Sequence, residues 1–79
     1  MKIRKNIAQS DSGFIFNPSN GDSYSVNEIG KLIIDLLQQG KSDNEIVKRI
    51  TDEYRIDRDS IEKDLYDFKN MLDAYKLTE

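Results

Sequence analysis

The side chains that could act as catalysts or ligands in this sequence are almost all carboxylates. The chain contains no cysteine and no histidine, so the commonest nucleophile, general base and zinc ligands are absent. Acidic and basic residues alternate in the C-terminal third: Asp57, Asp59, Glu62, Asp64 and Asp67 among Arg58, Lys63 and Lys69. Paired carboxylates can transfer protons, but this helical spacing favours a solvated surface with ion pairs such as Asp59–Lys63.

Metal and nucleotide motifs are also missing. The acidic residues do not follow the spacing of a calcium-binding EF-hand loop. The four glycines are scattered and form neither a dinucleotide-binding fingerprint nor a phosphate-binding loop. We therefore expect a protein that is not an enzyme and that holds no metal or cofactor.

Composition limits the class of protein further. A chain of 79 residues with 37% hydrophobic and 34% charged residues has the size and balance of one small globular domain, covering residues 1–79. The polar N-terminus lacks the apolar centre of a signal peptide, and no apolar run is long enough to span a bilayer. These features predict a cytoplasmic protein without a membrane partner, and the net charge of −3 argues against a nucleic-acid partner.

The elements that must position any site begin with three short predicted strands. Lys2–Ala8 alternates apolar and polar residues, which predicts a first, half-buried strand. In the second, Phe14–Phe16, both phenylalanines share one face and Ile15 lies on the other. Asn17-Pro18-Ser19-Asn20-Gly21 is typical of a hairpin turn, and Asp22–Val26 follows as the third strand.

A helix is predicted directly after the third strand, from about Glu28 to Gln39. Asn27 is its expected N-cap, and Gly40 is the residue type that commonly ends a helix. Its apolar residues recur at helical spacing. They are Ile29, Leu32, Ile33, Leu36 and Leu37.

Two further helices complete the predicted fold. Ser42 and Glu45 form a capping box for the second helix, which continues to about Tyr54. The third helix runs from a cap at Asp57 or Asp59 to about Lys76. Its apolar positions advance by four and by three along the chain. They are Ile61, Leu65, Phe68, Leu72 and Tyr75.

This order of elements predicts an α+β fold, a three-stranded antiparallel meander followed by three helices in a winged-helix-like arrangement. Winged helices often bind DNA through a basic recognition helix. The predicted last helix carries four basic and six acidic residues, which is the wrong balance for contact with phosphates. Protein recognition is the remaining class, because the short third strand is suited to serve as the edge to which an extended peptide adds.

The hairpin of the second and third predicted strands, together with the helix after it, resembles the PqqD family in sequence. The resemblance is carried by Gly13-Phe14-Ile15-Phe16, by Asn20–Gly30 with its Tyr24 strand and Asn27-x-x-Gly30, and by Ile33–Leu37. The second half is also similar. Its matching positions are Glu45-Ile46-Val47, Ile50, Ile56-Asp57, Asp64-Leu65, Phe68, Leu72 and Leu77. One departure is Tyr75-Lys76-Leu77, which stands where the family has a glycine before the terminal leucine.

The resemblance implies a function as well as a fold. PqqD-like domains are recognition elements for ribosomally made peptides that are modified after synthesis. They hold the leader of a precursor peptide as an added strand against the last helix and present it to a modifying enzyme, often a radical-SAM protein. The positions implied here for peptide binding are Ser23, Tyr24, Ser25 and Val26 on the strand, and Leu65, Phe68, Lys69, Met71 and Leu72 on the helix.

The residues leave other interpretations open. For Leu65, Phe68 and Leu72, packing in the core competes with a role in peptide binding, because a helix presents only part of its circumference to a groove. A winged-helix DNA-binding regulator is one alternative for the whole protein. A dimerisation module is another, since an unpaired sheet edge can pair with a second copy of the chain to form a homodimer.

Overall fold

A computed structural model describes residues 1–79 as three antiparallel strands followed by three helices. The strands are β1 (Ala8–Gln9), β2 (Phe14–Asn17) and β3 (Asp22–Ser25). The helices are α1 (Glu28–Gln38), α2 (Asp43–Tyr54) and α3 (Arg58–Ala74). The α+β class predicted from the sequence is therefore confirmed. None of the helices combines the length and the apolar character needed to cross a bilayer.

The predicted first strand is wrong in its bounds. Only Ala8–Gln9 pairs with β2, and a turn at Lys5 and Asn6 separates it from the preceding residues. Those residues pair with the end of the chain instead, through a bridge between Ile3 and Thr78. The alternation does mark buried positions, because Ile3 and Ile7 are both buried, but Ile3 belongs to the bridge with the chain end and Ile7 lies just before β1.

The face of the sheet that carries Ile15 packs toward the helices. Ile15 is fully buried, whereas Phe14 and Phe16 point to the outer face and keep 48% and 40% of their surface exposed. The predicted two-faced strand is confirmed, and the inner face is the one that carries Ile15. The buried residues of all three helices complete the core beneath it. They are Ile33, Ile34, Leu36, Leu37, Ile46, Val47, Ile50, Ile61, Leu65 and Leu72.

Local hydrogen bonds set the helix starts. The side chain of Asn27 accepts from the Gly30 amide, and Ser42 forms the predicted capping box with Glu45. The cap of α3 is Asp57, which accepts from the Ser60 amide. Each cap satisfies an amide that has no partner inside its own helix, which explains why the sequence predicts these boundaries well.

The last helix ends two residues earlier than predicted, with Tyr75 as its C-cap. Lys76 adopts a left-handed conformation with φ of 60°. The Leu77 amide donates to the Leu72 carbonyl and the Lys76 amide donates to the Asp73 carbonyl, each over 3.0 Å. This is the hydrogen-bond pattern of a Schellman motif. Lys76 therefore takes the conformation that a glycine commonly supplies at this position.

Candidate functional site

The free edge of β3 is the first component of the candidate site. The sheet order is β1-β2-β3, so one side of β3 pairs with β2 and the other side has no strand neighbour. The Val26 amide donates to the Gly13 carbonyl over 2.8 Å, toward β2. Because antiparallel strands alternate the direction of their backbone groups, Tyr24 also pairs with β2, while Ser23 and Ser25 direct their N–H and C=O groups outward.

Whereas the backbone groups of β3 alternate within the plane of the sheet, its side chains point alternately to the two faces of the sheet. Tyr24 lies opposite the buried Ile15 in the strand register, so its ring is on the inner face, and Val26 lies on the same face two residues later. Both are half-buried. Ser25 lies opposite Phe14, on the outer face. The edge thus offers outward backbone groups beside an apolar inner face.

The second component is the side of α3 that faces β3. Phe68 Cε1 and Val26 Cβ each lie 3.1 Å from the point where a Cβ on Gly30 would stand, so both side chains converge over this glycine. The absence of a side chain at Gly30 is what allows this close packing. At the other end, the rings of Tyr24 and Tyr75 are stacked, with centroids 4.3 Å apart and an interplanar angle of 4°.

We refer to the surface formed by Tyr24, Val26, Phe68, Met71 and Tyr75 as the β3–α3 groove. Met71 lies between Phe68 and Tyr75 in sequence, and helical geometry places all three on the same side of α3. Met71 is half-buried against the core. Tyr75 was not among the site residues predicted from the sequence. Its position seven residues after Phe68, close to two full helical turns, was the signal that could have identified it.

The remaining predicted helix residues occupy other positions. Leu65 and Leu72 are 3% and 0% exposed, so core packing is their role in this structure. Lys69 points away from β3, toward α2, where its ammonium group lies 2.8 Å from the Asp43 carboxylate. The structure therefore brings Phe68 and Met71 to the groove but not Lys69. A contact between any of these residues and a peptide stays a prediction.

An open concavity of about 380 Å³ lies between α2 and α3, near Lys69 rather than near β3. Charged and polar side chains line it together with a few apolar ones. The lining residues are Met1, Asp43, Asn44, Val47, Glu62, Leu65, Tyr66, Lys69 and Asn70. It lacks an unpaired strand edge, so it cannot hold an extended chain by strand addition.

The electrostatics of the β3–α3 groove are modest. Burial raises the pKa of the Tyr24 phenol above its usual range, and the charge and hydrogen bond of the Asp22 carboxylate add to this rise. The phenol donates to Asp22 Oδ2 over 3.3 Å. A phenol that stays protonated keeps the ring uncharged, which suits an apolar surface.

The carboxylates of α3 form no site of their own. The predicted Asp59–Lys63 pair is not formed, and the ion pair within α3 is Arg58–Glu62, whose atoms Nε and Oε1 lie 2.7 Å apart. No group of three or more acidic side chains lies close enough to hold a metal ion. What the β3–α3 groove supplies is a row of outward backbone groups on β3 and an apolar surface beside them.

The comparisons with known proteins point to one family. The family model described as coenzyme PQQ synthesis protein D (PqqD) matches residues 13–77. A solved structure of TbiB1 in complex with the TbiA(beta) leader peptide has a TM-score of 0.88 and 34% identity, over 100% of this chain and 95% of that chain. No curated protein sequence matches significantly.

A second solved structure is similar over almost the same length. It is lasso peptide synthetase B1 complexed with the leader peptide, with a TM-score of 0.82 and 25% identity. The match covers 94% of this chain and 91% of that chain. Both similar proteins were therefore solved with a leader peptide bound.

Proposed function

This chain belongs to the PqqD family, and from this membership we propose that it binds the leader segment of a ribosomally made precursor peptide and presents it to a modifying enzyme. The observation that carries the proposal is the unpaired edge of β3, which lies beside the apolar side of α3. The two leader-peptide complexes of similar proteins support the same conclusion.

The binding mode that fits this edge is β-strand addition. Ser23 and Ser25 would exchange backbone hydrogen bonds with the peptide, which gives affinity that does not depend on peptide sequence. Inward side chains of the added strand would contact the β3–α3 groove, chiefly Phe68 and Met71, and these contacts would select among peptides. In this binding mode the side chains of Tyr24 and Val26 form part of the β3–α3 groove, on the inner face of the sheet beside the added strand.

The protein acts in this proposal as a non-catalytic peptide chaperone in the cytoplasm. Its chain has no histidine and no cysteine, and its carboxylates are dispersed over the helix surfaces. Chemistry on the precursor is then the task of a separate enzyme. The family resemblance favours a radical-SAM protein for that role.

A homodimer is the second candidate, and the same unpaired edge is the observation that favours it. Two copies of β3 could pair with each other through their outward Ser23 and Ser25 groups. Edge pairing of this kind would compete with peptide binding, because both need the same hydrogen-bonding groups.

A backbone amide NMR titration with synthetic peptides covering precursor leaders encoded near the gene tests the proposal. We expect chemical-shift changes at Ser23, Ser25 and along α3 near Phe68 and Met71. We expect none at the residues that line the concavity between α2 and α3. Sedimentation at several protein concentrations, run in parallel, tests the dimer. If every such peptide leaves the spectrum unchanged while the mass rises with concentration, the edge serves self-association and the peptide-binding proposal is wrong.

A further inference from the structure

The β3–α3 groove is closed at both ends by aromatic side chains. At one end Phe68 converges with Val26 over Gly30. At the other end Tyr75 lies flat against Tyr24. Between these two contacts the side of α3 that faces β3 presents only Met71, which is an adaptable apolar side chain.

The length of the interval between these two contacts can be estimated from helix geometry. Tyr75, the C-cap of α3, follows Phe68 by seven residues, which corresponds to about 10.5 Å along the helix axis. Each ring occupies about 2 Å on the side facing the interval, which leaves roughly 7 Å. Inward side chains of an added strand recur every two residues, or about 6.6 Å. Two bulky neighbours would each add about 2 Å of their own half-thickness to that spacing, which exceeds the interval, so only one fits.

The backbone at Tyr75 is held by hydrogen bonds. This residue is the C-cap of α3, and its amide donates to the Met71 carbonyl over 3.0 Å. The carbonyl of the next residue, Lys76, accepts a hydrogen bond from Arg4 Nε over 2.9 Å. The helix end is thereby attached to the N-terminal segment. The ring itself is held by its stacking contact with Tyr24, which a bulky peptide side chain would have to displace.

We propose that Tyr75, stacked on Tyr24, closes the groove and determines the register and spacing of the bound peptide. This inference rests on the proposed function and specifies its peptide. One large apolar side chain, such as leucine, enters between Phe68 and Tyr75 over Met71. The neighbouring inward position, two residues along the peptide, lies on the tyrosine pair and accepts only a small residue.

The test uses synthetic peptides derived from a precursor leader that binds the wild-type chain. One peptide carries leucine at the first inward position and alanine at the second, and its partner carries leucine at both. We expect wild-type protein to bind the first at least about tenfold more tightly. The Tyr75→Ala variant should bind the second peptide more tightly, so that the ratio of the two affinities falls to about one. Tyr75→Phe keeps a stackable ring and should retain the wild-type ratio.

The ratio of the two affinities separates selectivity from general damage to the fold. Should Tyr75→Ala not fold, Tyr75→Leu offers a second test, because it keeps an apolar side chain at the helix end but removes the ring that stacks on Tyr24, and the ratio should again fall. Equal binding of the two peptides by wild-type protein, or an unchanged ratio in folded Tyr75→Ala, would overturn the inference while leaving strand addition intact. If no leader peptide binds the wild type at all, the proposed function fails and this inference fails with it.

Discussion

Replacing Ser25 by proline gives the sharpest test of the β3 edge. Proline has no N–H group, and its ring carbons occupy the place of the missing hydrogen. The Ser25 N–H is directed outward, because the neighbouring Val26 amide already pairs with Gly13 of the opposite segment. The substitution therefore removes no hydrogen bond from the unbound protein, and edge positions of this kind tolerate proline.

The expected loss of affinity follows from the hydrogen bond that the bound peptide would miss. A peptide carbonyl placed against the introduced proline would be desolvated without a donor, at a cost of about 1–3 kcal/mol. At about 1.4 kcal/mol per factor of ten, the dissociation constant should rise by about fivefold to a hundredfold. The free energy of unfolding should change by about 1 kcal/mol or less, since an exposed edge residue without a strand partner is replaced.

Isothermal titration calorimetry with a leader peptide measures the affinity, and urea unfolding measures the stability. Ser25→Ala is the matched control, because it removes the hydroxyl and keeps the N–H, and it should bind like the wild type. Unchanged affinity of a stably folded Ser25→Pro variant would refute strand addition at this edge. A similar loss in Ser25→Ala would show that the side chain, rather than the backbone, makes the contact.

Three further predictions concern the fold. Gly13→Ala should destabilise the protein by about 3 kcal/mol or more in urea unfolding, because its Cβ would stand 2.4 Å from the Val26 carbonyl oxygen. Gly21→Ala, also at positive φ but with open space around it, should cost only about 1 kcal/mol. Lys76→Gly should stabilise the protein by about 1 kcal/mol in the same assay, by relieving a left-handed lysine. The Ser60 amide holds the pKa of the Asp57 carboxyl below its usual range. Its contribution to stability is therefore present above about pH 4 and is lost in acid, so Asp57→Asn should lose less stability than wild type between about pH 5 and about pH 3.

Each of these has a clear contrary result. Equal losses in the two glycine variants would mean that the Val26 carbonyl moves freely, so that β3 is not held tightly against the residue before β2. No gain in Lys76→Gly, with Lys76→Ala as the control for loss of the side chain, would mean that the lysine side chain offsets its backbone strain. An Asp57→Asn variant as acid-sensitive as the wild type would assign acid unfolding to other carboxyl groups.

Local chemistry explains which features could be predicted from the sequence. The caps at Asn27, Ser42 and Asp57 each use a side chain that reaches an amide three residues ahead, so the relevant information lies within one helical turn. Gly40, with φ of 80°, ends α1 for a similarly local reason. The hairpin between β2 and β3 was also predicted correctly from its turn residues.

Features that depend on distant partners were predicted less well. The alternation in Lys2–Ala8 is compatible with one strand or with two short pairings, and only contact with the chain end at Thr78 decides between them. Alternation likewise separates Phe14 from Ile15 without saying which face meets the helices. The end of α3 was placed too late because a lysine at positive φ has no sequence signal.

The same contrast between local and long-range features applies to the candidate site. The sequence by itself determined the order of strands and helices and the resemblance that points to the Ser23–Val26 strand, because these rest on local spacing and turn chemistry. The prediction that β3 is an edge strand is confirmed, but only the tertiary structure decided that Lys69 turns toward Asp43 and that Tyr75 stacks on Tyr24. These relations join residues that are far apart in the chain, and they depend on how α3 is rotated about its axis when its leucines enter the core.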